Sequence, residues 1–71
     1  MRIKNAFALR SQLARQKQWL TTAEIAVGLG MHRNTVQHML RLRPVSAATV
    51  RRVAEAIGKE PLEIAVFVVE D

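Results

Sequence analysis

Apolar residues fall at helical spacing in four successive stretches of the chain and run together in a fifth. Between positions 3 and 18 there is no Gly or Pro, and Ala, Leu, Arg, Gln and Lys dominate. These are strong helix formers. Ile3, Phe7, Arg10, Leu13 with Ala14, and Lys17 follow a rough 3.6-residue period, with Ala6 and Leu9 flanking. The spacing predicts a first helix from Ile3, apolar on one face and basic on the other. A basic amphipathic helix also suits a membrane surface. The rest of the chain, however, supplies a core that this face can join.

Thr21, Thr22, Ala23 and Glu24 read as a capping box. A Thr hydroxyl accepts the amide three residues on, and Glu24 reaches back to the cap amide. A second helix begins there and carries Ile25, Ala26 and Val27 until Gly28, Leu29 and Gly30 stop it. Gly30 suits a left-handed C-cap, where a Cβ is penalised. A third helix follows, with Val36, Met39 and Leu40 on one face and Arg33, Asn34, Gln37, His38 and Arg41 on the other. Helix two, a Gly-containing turn of about four residues and helix three make a helix-turn-helix pattern.

After Pro44, Ser46 offers the next N-cap. Val50, Val53, Ala54 and Ile57 at i, i+3, i+4 and i+7 bury one face of a fourth helix, with Arg51, Arg52 and Glu55 outward. Gly58 ends it, and Lys59 stands one turn beyond Glu55. Pro61 fits the first position of a last helix, whose positive end favours Glu60 and Glu63. The run Ile64, Ala65, Val66, Phe67, Val68, Val69 is apolar on all sides and rich in β-branched residues, so it fits a helix or a short strand equally. The expectation is an all-α, compact five-helix helix-turn-helix domain spanning 1–71, with 61–69 as helix or short strand.

The composition narrows what such a domain does. Seventy-one residues leave room for one domain and no TIM barrel, dinucleotide fold or two-domain enzyme cleft. With no Cys, neither disulfides nor thiolate metal sites are available. The net charge is +5. Residues 1–45 hold eight basic groups and one acid, whereas 46–71 hold three basic groups and five acids. One end therefore suits a polyanion and the other does not. No long apolar run follows the basic start, which predicts no signal peptide, no membrane span and a cytoplasmic location.

Two sets of residues resemble a known family. Thr22, Ala23, Glu24, Ile25 and Ala26, then Gly30, Met31, His32, Arg33, Asn34, Thr35 and Val36, then Met39, resemble the helix-turn-helix core of the Cro/CI-type phage repressors. The stretch from Ser46 to Gly58 is similar to that family's fourth helix. The resemblance covers roughly residues 9–65. It implies a DNA-binding regulator that dimerises and reads two half-sites, and it makes Arg15 a structural ion-pair partner. The chain departs from the family in three places. His32 stands at the third helix's N-cap where Ser or Thr is usual, which weakens the cap and frees a ring nitrogen for phosphate. Trp19 replaces a small residue, as core or as a lid over the corner between helices one and two. The loop 41–45 is one residue short.

The outward residues of helix three carry the chemistry that the groove of DNA needs. Arg33 can give two donors to guanine O6 and N7, and Asn34 can pair with adenine N6 and N7. Thr35 offers a methyl to thymine, while Gln37 and His38, a turn further on, reach a base or a phosphate. Around these base-contacting candidates, Thr22 with its helix N-terminus, His32, Arg41 and Arg43 are candidates for the DNA backbone. Arg10, Arg15 and Lys17 grip phosphate or only solvate, and Arg51 and Arg52 are expected to be solvated.

Such domains read half-sites about 34 Å apart as dimers. The segment 60–71 is the expected dimerisation element, with Leu62, Ile64, Val66, Phe67 and Val68 at the interface, by helix packing or by strand pairing across chains. The alternative is that Ile64 and Phe67 cap the monomer's own core. His32 and His38 lie about 240° apart on a helix, so they cannot share a metal. Neither Ser11 nor Ser46 has a catalytic partner nearby. The chain is expected to be no enzyme, with no metal, cofactor or small-molecule ligand, and double-stranded DNA as partner. Two other functions fit as well: a protein-interaction module (an antitoxin or co-regulator), and the DNA-targeting part of a recombination complex.

Overall fold

The computed structural model describes residues 1–68. Five helices make up most of it: α1 (Ala6–Lys17), α2 (Thr22–Leu29), α3 (Arg33–Leu40), α4 (Ala47–Ala56) and the single turn α5 (Pro61–Ile64). Two two-residue strands, β1 (Arg2–Ile3) and β2 (Ala65–Val66), pair antiparallel, with Arg2 opposite Val66 and Ile3 opposite Ala65. The all-α expectation holds. The radius of gyration, 11.0 Å, is the ~11 Å of a folded chain this long. Among the described residues no helix is long and apolar enough to cross a membrane.

The first helix begins later than its spacing suggests. Asn5 caps it, its side-chain oxygen accepting the Ala8 amide at 3.0 Å. Ile3 is instead drawn into β1 and is 2% exposed. Burying an Ile side chain stabilises by about 2 kcal/mol. Extending a helix by three residues gains only tenths of that. The predicted face is also rotated. Leu9 and Leu13, four apart, point into the core, while Phe7 is 80% exposed. Phe7 lies about 200° around the helix from Leu9, so both cannot face inward.

The core gathers side chains from every element. Ile3, Leu9, Leu13, Ile25, Val36, Met39, Val50, Val53 and Ile57 are its large members, with Ala65 from β2. No buried polar or charged residue interrupts it among the described residues. The fourth helix buries Val50, Val53 and Ala54, and Ile57 follows at its C-cap, all as their spacing predicts. Ser46 Oγ accepts the Thr49 amide at 3.2 Å at its start, and Gly58 turns left-handed (φ 70°) after its end.

The last segment is helix and strand in succession. Glu63 reaches back to the Glu60 amide at 2.7 Å around Pro61. After one turn the chain becomes extended, and the Lys4 amide donates to Ile64 O at 2.9 Å. The partner of β2 is thus the N-terminal strand of the same chain. Val69, the end of the predicted run, lies outside the described residues.

Candidate nucleic-acid interface

The start of α2 is fixed by the predicted box. Thr21, not Thr22, is the cap. Its hydroxyl accepts the Glu24 amide at 3.1 Å, and Glu24 Oε1 accepts the Thr21 amide at 3.2 Å. Thr22 is the first helical residue and half-buried. The helix then runs through Gly28 and ends at Leu29. Gly28 therefore does not stop it. A Cβ there would fall on the Trp19 ring, so this glycine makes room for the indole to lie across α2. Trp19 is half-buried against the core.

Gly30 makes the turn. Its φ is 66°, a region that costs other residues about 1–2 kcal/mol. The Met31 amide donates to Ala26 O at 3.0 Å and the Gly30 amide to Val27 O at 3.2 Å. Two residues later His32 caps α3. Its Nδ1 accepts the Asn34 amide at 3.1 Å. His32 thus caps the helix through a ring nitrogen. A neutral imidazole that accepts at Nδ1 carries its hydrogen on Nε2, leaving that atom as an outward donor.

Along α3, Val36 and Met39 are fully buried. They pin the helix by one face. Arg33, Asn34, Gln37 and His38 are exposed, and Thr35 is half-buried at the margin. Five base-contacting candidates thus share one helix of eight residues.

The chain then turns sharply. Leu42 adopts φ 61°, its amide bonding Met39 O at 3.1 Å, and the Arg43 amide returns to His38 O at 3.0 Å. This closure folds Arg43 back on α3. Its Nη1 stands 3.4 Å from His38 Nδ1. Arg can only donate, so a hydrogen bond here has His38 Nδ1 as its acceptor. Arg41, at the C-cap, is exposed beside them.

The structure thus brings Arg33, Asn34, Thr35, Gln37, His38, His32, Arg41 and Arg43 onto or next to one helix. Thr22 stands apart, at the far end of α2, about 12 Å along an eight-residue helix. Arg52 is exposed, as expected, but it is not merely solvated. Its Nη1 donates to Gly30 O at 3.1 Å and reaches Leu29 O at 3.5 Å. No local sequence signal marks this contact, because its partners lie 22 and 23 residues away.

The candidate interface residues divide. Leu62 (55% exposed), Val66, Phe67 (68%) and Val68 are open to solvent. Ile64 instead packs against the core, as the alternative has it, whereas Phe67, the other residue of that alternative, does not. Phe67, Leu62 and Pro61 line one open depression with Met1. Val66 shares another with Ile3 and Leu42. No protein-family model, no curated protein and no solved structure matches the chain.

Proposed function

We propose that this chain is a sequence-specific, double-stranded DNA-binding transcription regulator, a cytoplasmic repressor acting as a homodimer on a palindromic operator. The observation that carries this is α3. Two buried residues anchor it, and Arg33, Asn34, Gln37 and His38 stand exposed together, four side chains that read base edges. The resemblance to Cro/CI-type repressors, stated from the sequence, points the same way. In the bound complex α3 lies in the major groove with its N-terminal residues on the bases. His32 Nε2–H, Arg41, Arg43 and the start of α2 at Thr22 hold phosphates and fix the register. Occupancy of the operator excludes polymerase. The chain acts by binding, and no catalytic step is assigned to it.

The dimer uses the exposed part of the C-terminal segment, Leu62, Val66, Phe67 and Val68. The same exposed apolar residues favour a second function, an interaction module that binds another protein. Two substitutions separate base readout from charge. Arg33→Ala should relax preference at one base pair, at about 1–3 kcal/mol. Arg41→Ala should weaken binding to all sequences alike and flatten the salt dependence by about one phosphate. Equal loss on every duplex from Arg33→Ala would contradict base reading.

A further inference from the structure

Helical periodicity places Arg52 on the outward side of α4, yet its guanidinium spans to another element. The two carbonyls it meets, Leu29 and Gly30, close α2. The turn's own amides bond Ala26 and Val27 instead. Terminal carbonyls of a helix need partners from outside. A cation there also meets the negative end of the α2 dipole. Arg52 shares a shallow groove with Met31, Thr35, Ala48 and Thr49. One side chain therefore links α4 to the α2–α3 turn.

Gly30 precedes the α3 cap, His32, by two residues, and Arg33 and Asn34 follow directly. A shift at Gly30 is passed to them with little chain to absorb it. Bidentate contacts to base edges tolerate errors of about 0.5 Å.

We propose that Arg52 is a positioning residue for the base-reading face. It clasps the α2–α3 turn from α4 and sets the register in which Arg33 and Asn34 meet the bases, without touching nucleic acid itself. This rests on the DNA-binding function proposed above.

The test compares the full chain with Arg52→Ala and Arg52→Lys. The first readout needs no DNA. Arg52→Ala should speed amide exchange over residues 30–36 by about ten-fold and leave α1 unchanged. Unchanged exchange there overturns the clasp, whatever the DNA results. The second is the affinity ratio of a selected duplex to a scrambled one. It should fall about ten-fold in Arg52→Ala, the share of one bidentate contact, and recover in part in Arg52→Lys. The slope of log K against log salt should stay as in the parent chain. A slope shallower by about 0.9, with an unchanged ratio, makes Arg52 a phosphate ligand and overturns the proposal. A parent chain without sequence preference overturns the DNA-binding function and the positioning role together, while the exchange result still decides the clasp. If Arg52→Ala unfolds, Arg52→Gln, which keeps an amide donor without the charge, carries the same readouts.

Discussion

At the start of α3 an imidazole does the work that a hydroxyl or carboxylate usually does at a helix N-terminus. His32 Nδ1 accepts the Asn34 amide, and its other nitrogen faces outward. These two roles separate by substitution. His32→Ala should cost about 1 kcal/mol, lowering Tm by about 4–8 °C in a domain this small. His32→Ser should keep the stability and still weaken DNA binding, because it loses the Nε2–H donor. Identical melting of all three proteins would show that the cap contributes nothing. Most caps are legible in the sequence, since a side chain three residues from its target is a local device. Thr21 with Glu24, and Ser46, are such cases, and Gly30 is legible as a left-handed stop. Arg52 is not, because its partners are brought near only by the packing of α4 on α2.

Among elements, α1 and α2 show where periodicity misleads. The run from position 3 to 18 contains no helix breaker, so nothing local separates Ile3 from the helix. A tertiary gain does so: Ile3 is buried by pairing with β2. Phe7 is the larger apolar residue, but Leu9 and Leu13 win as a pair on one face. Gly28 looked like a stop because glycine is a poor helix former. It sits inside α2, and the Trp19 ring occupies the space that a Cβ would fill. Gly28→Ala gains about 1 kcal/mol of helix propensity and loses more to the displaced indole, as overpacking costs ~1–3 kcal/mol. The chain's single tryptophan reports the outcome. Its emission should shift red as the ring is expelled, with a net loss of stability of about 1 kcal/mol. Unshifted emission in a more stable variant would contradict this packing.

Across the whole molecule the N-terminal segment joins two regions that the sequence keeps far apart. β1 pairs with β2. Met1 exchanges backbone hydrogen bonds with Val45, at 2.6 Å and 2.7 Å, in the loop that follows Arg43. The C-terminal segment and the basic loop are thus tied through one strand. The all-α class was legible from spacing and caps. The strand pair was not, because two residues carry no period. Of the candidate site, the α3 residues were legible because an exposed face is the complement of a buried one. Ile64 was not, since an all-apolar run gives no sign of which member turns inward. Phe67 is 68% exposed, so Phe67→Lys should change stability by no more than about 0.5 kcal/mol. Sedimentation should then show a folded monomer with reduced operator affinity. A variant still dimeric and still tight-binding would remove this segment from the interface.

The central claim is that α3 reads DNA sequence. It is tested most directly by selecting bound duplexes from a random library, sequencing them, and titrating the enriched sites by fluorescence anisotropy at several salt concentrations. The account predicts a palindromic consensus with half-sites about one helical turn apart, and affinity that falls linearly in log K against log salt. Weak binding without a consensus, abolished by modest salt, would contradict it. The basic half would then be generic charge, and the exposed C-terminal residues would become the place to look for a protein partner.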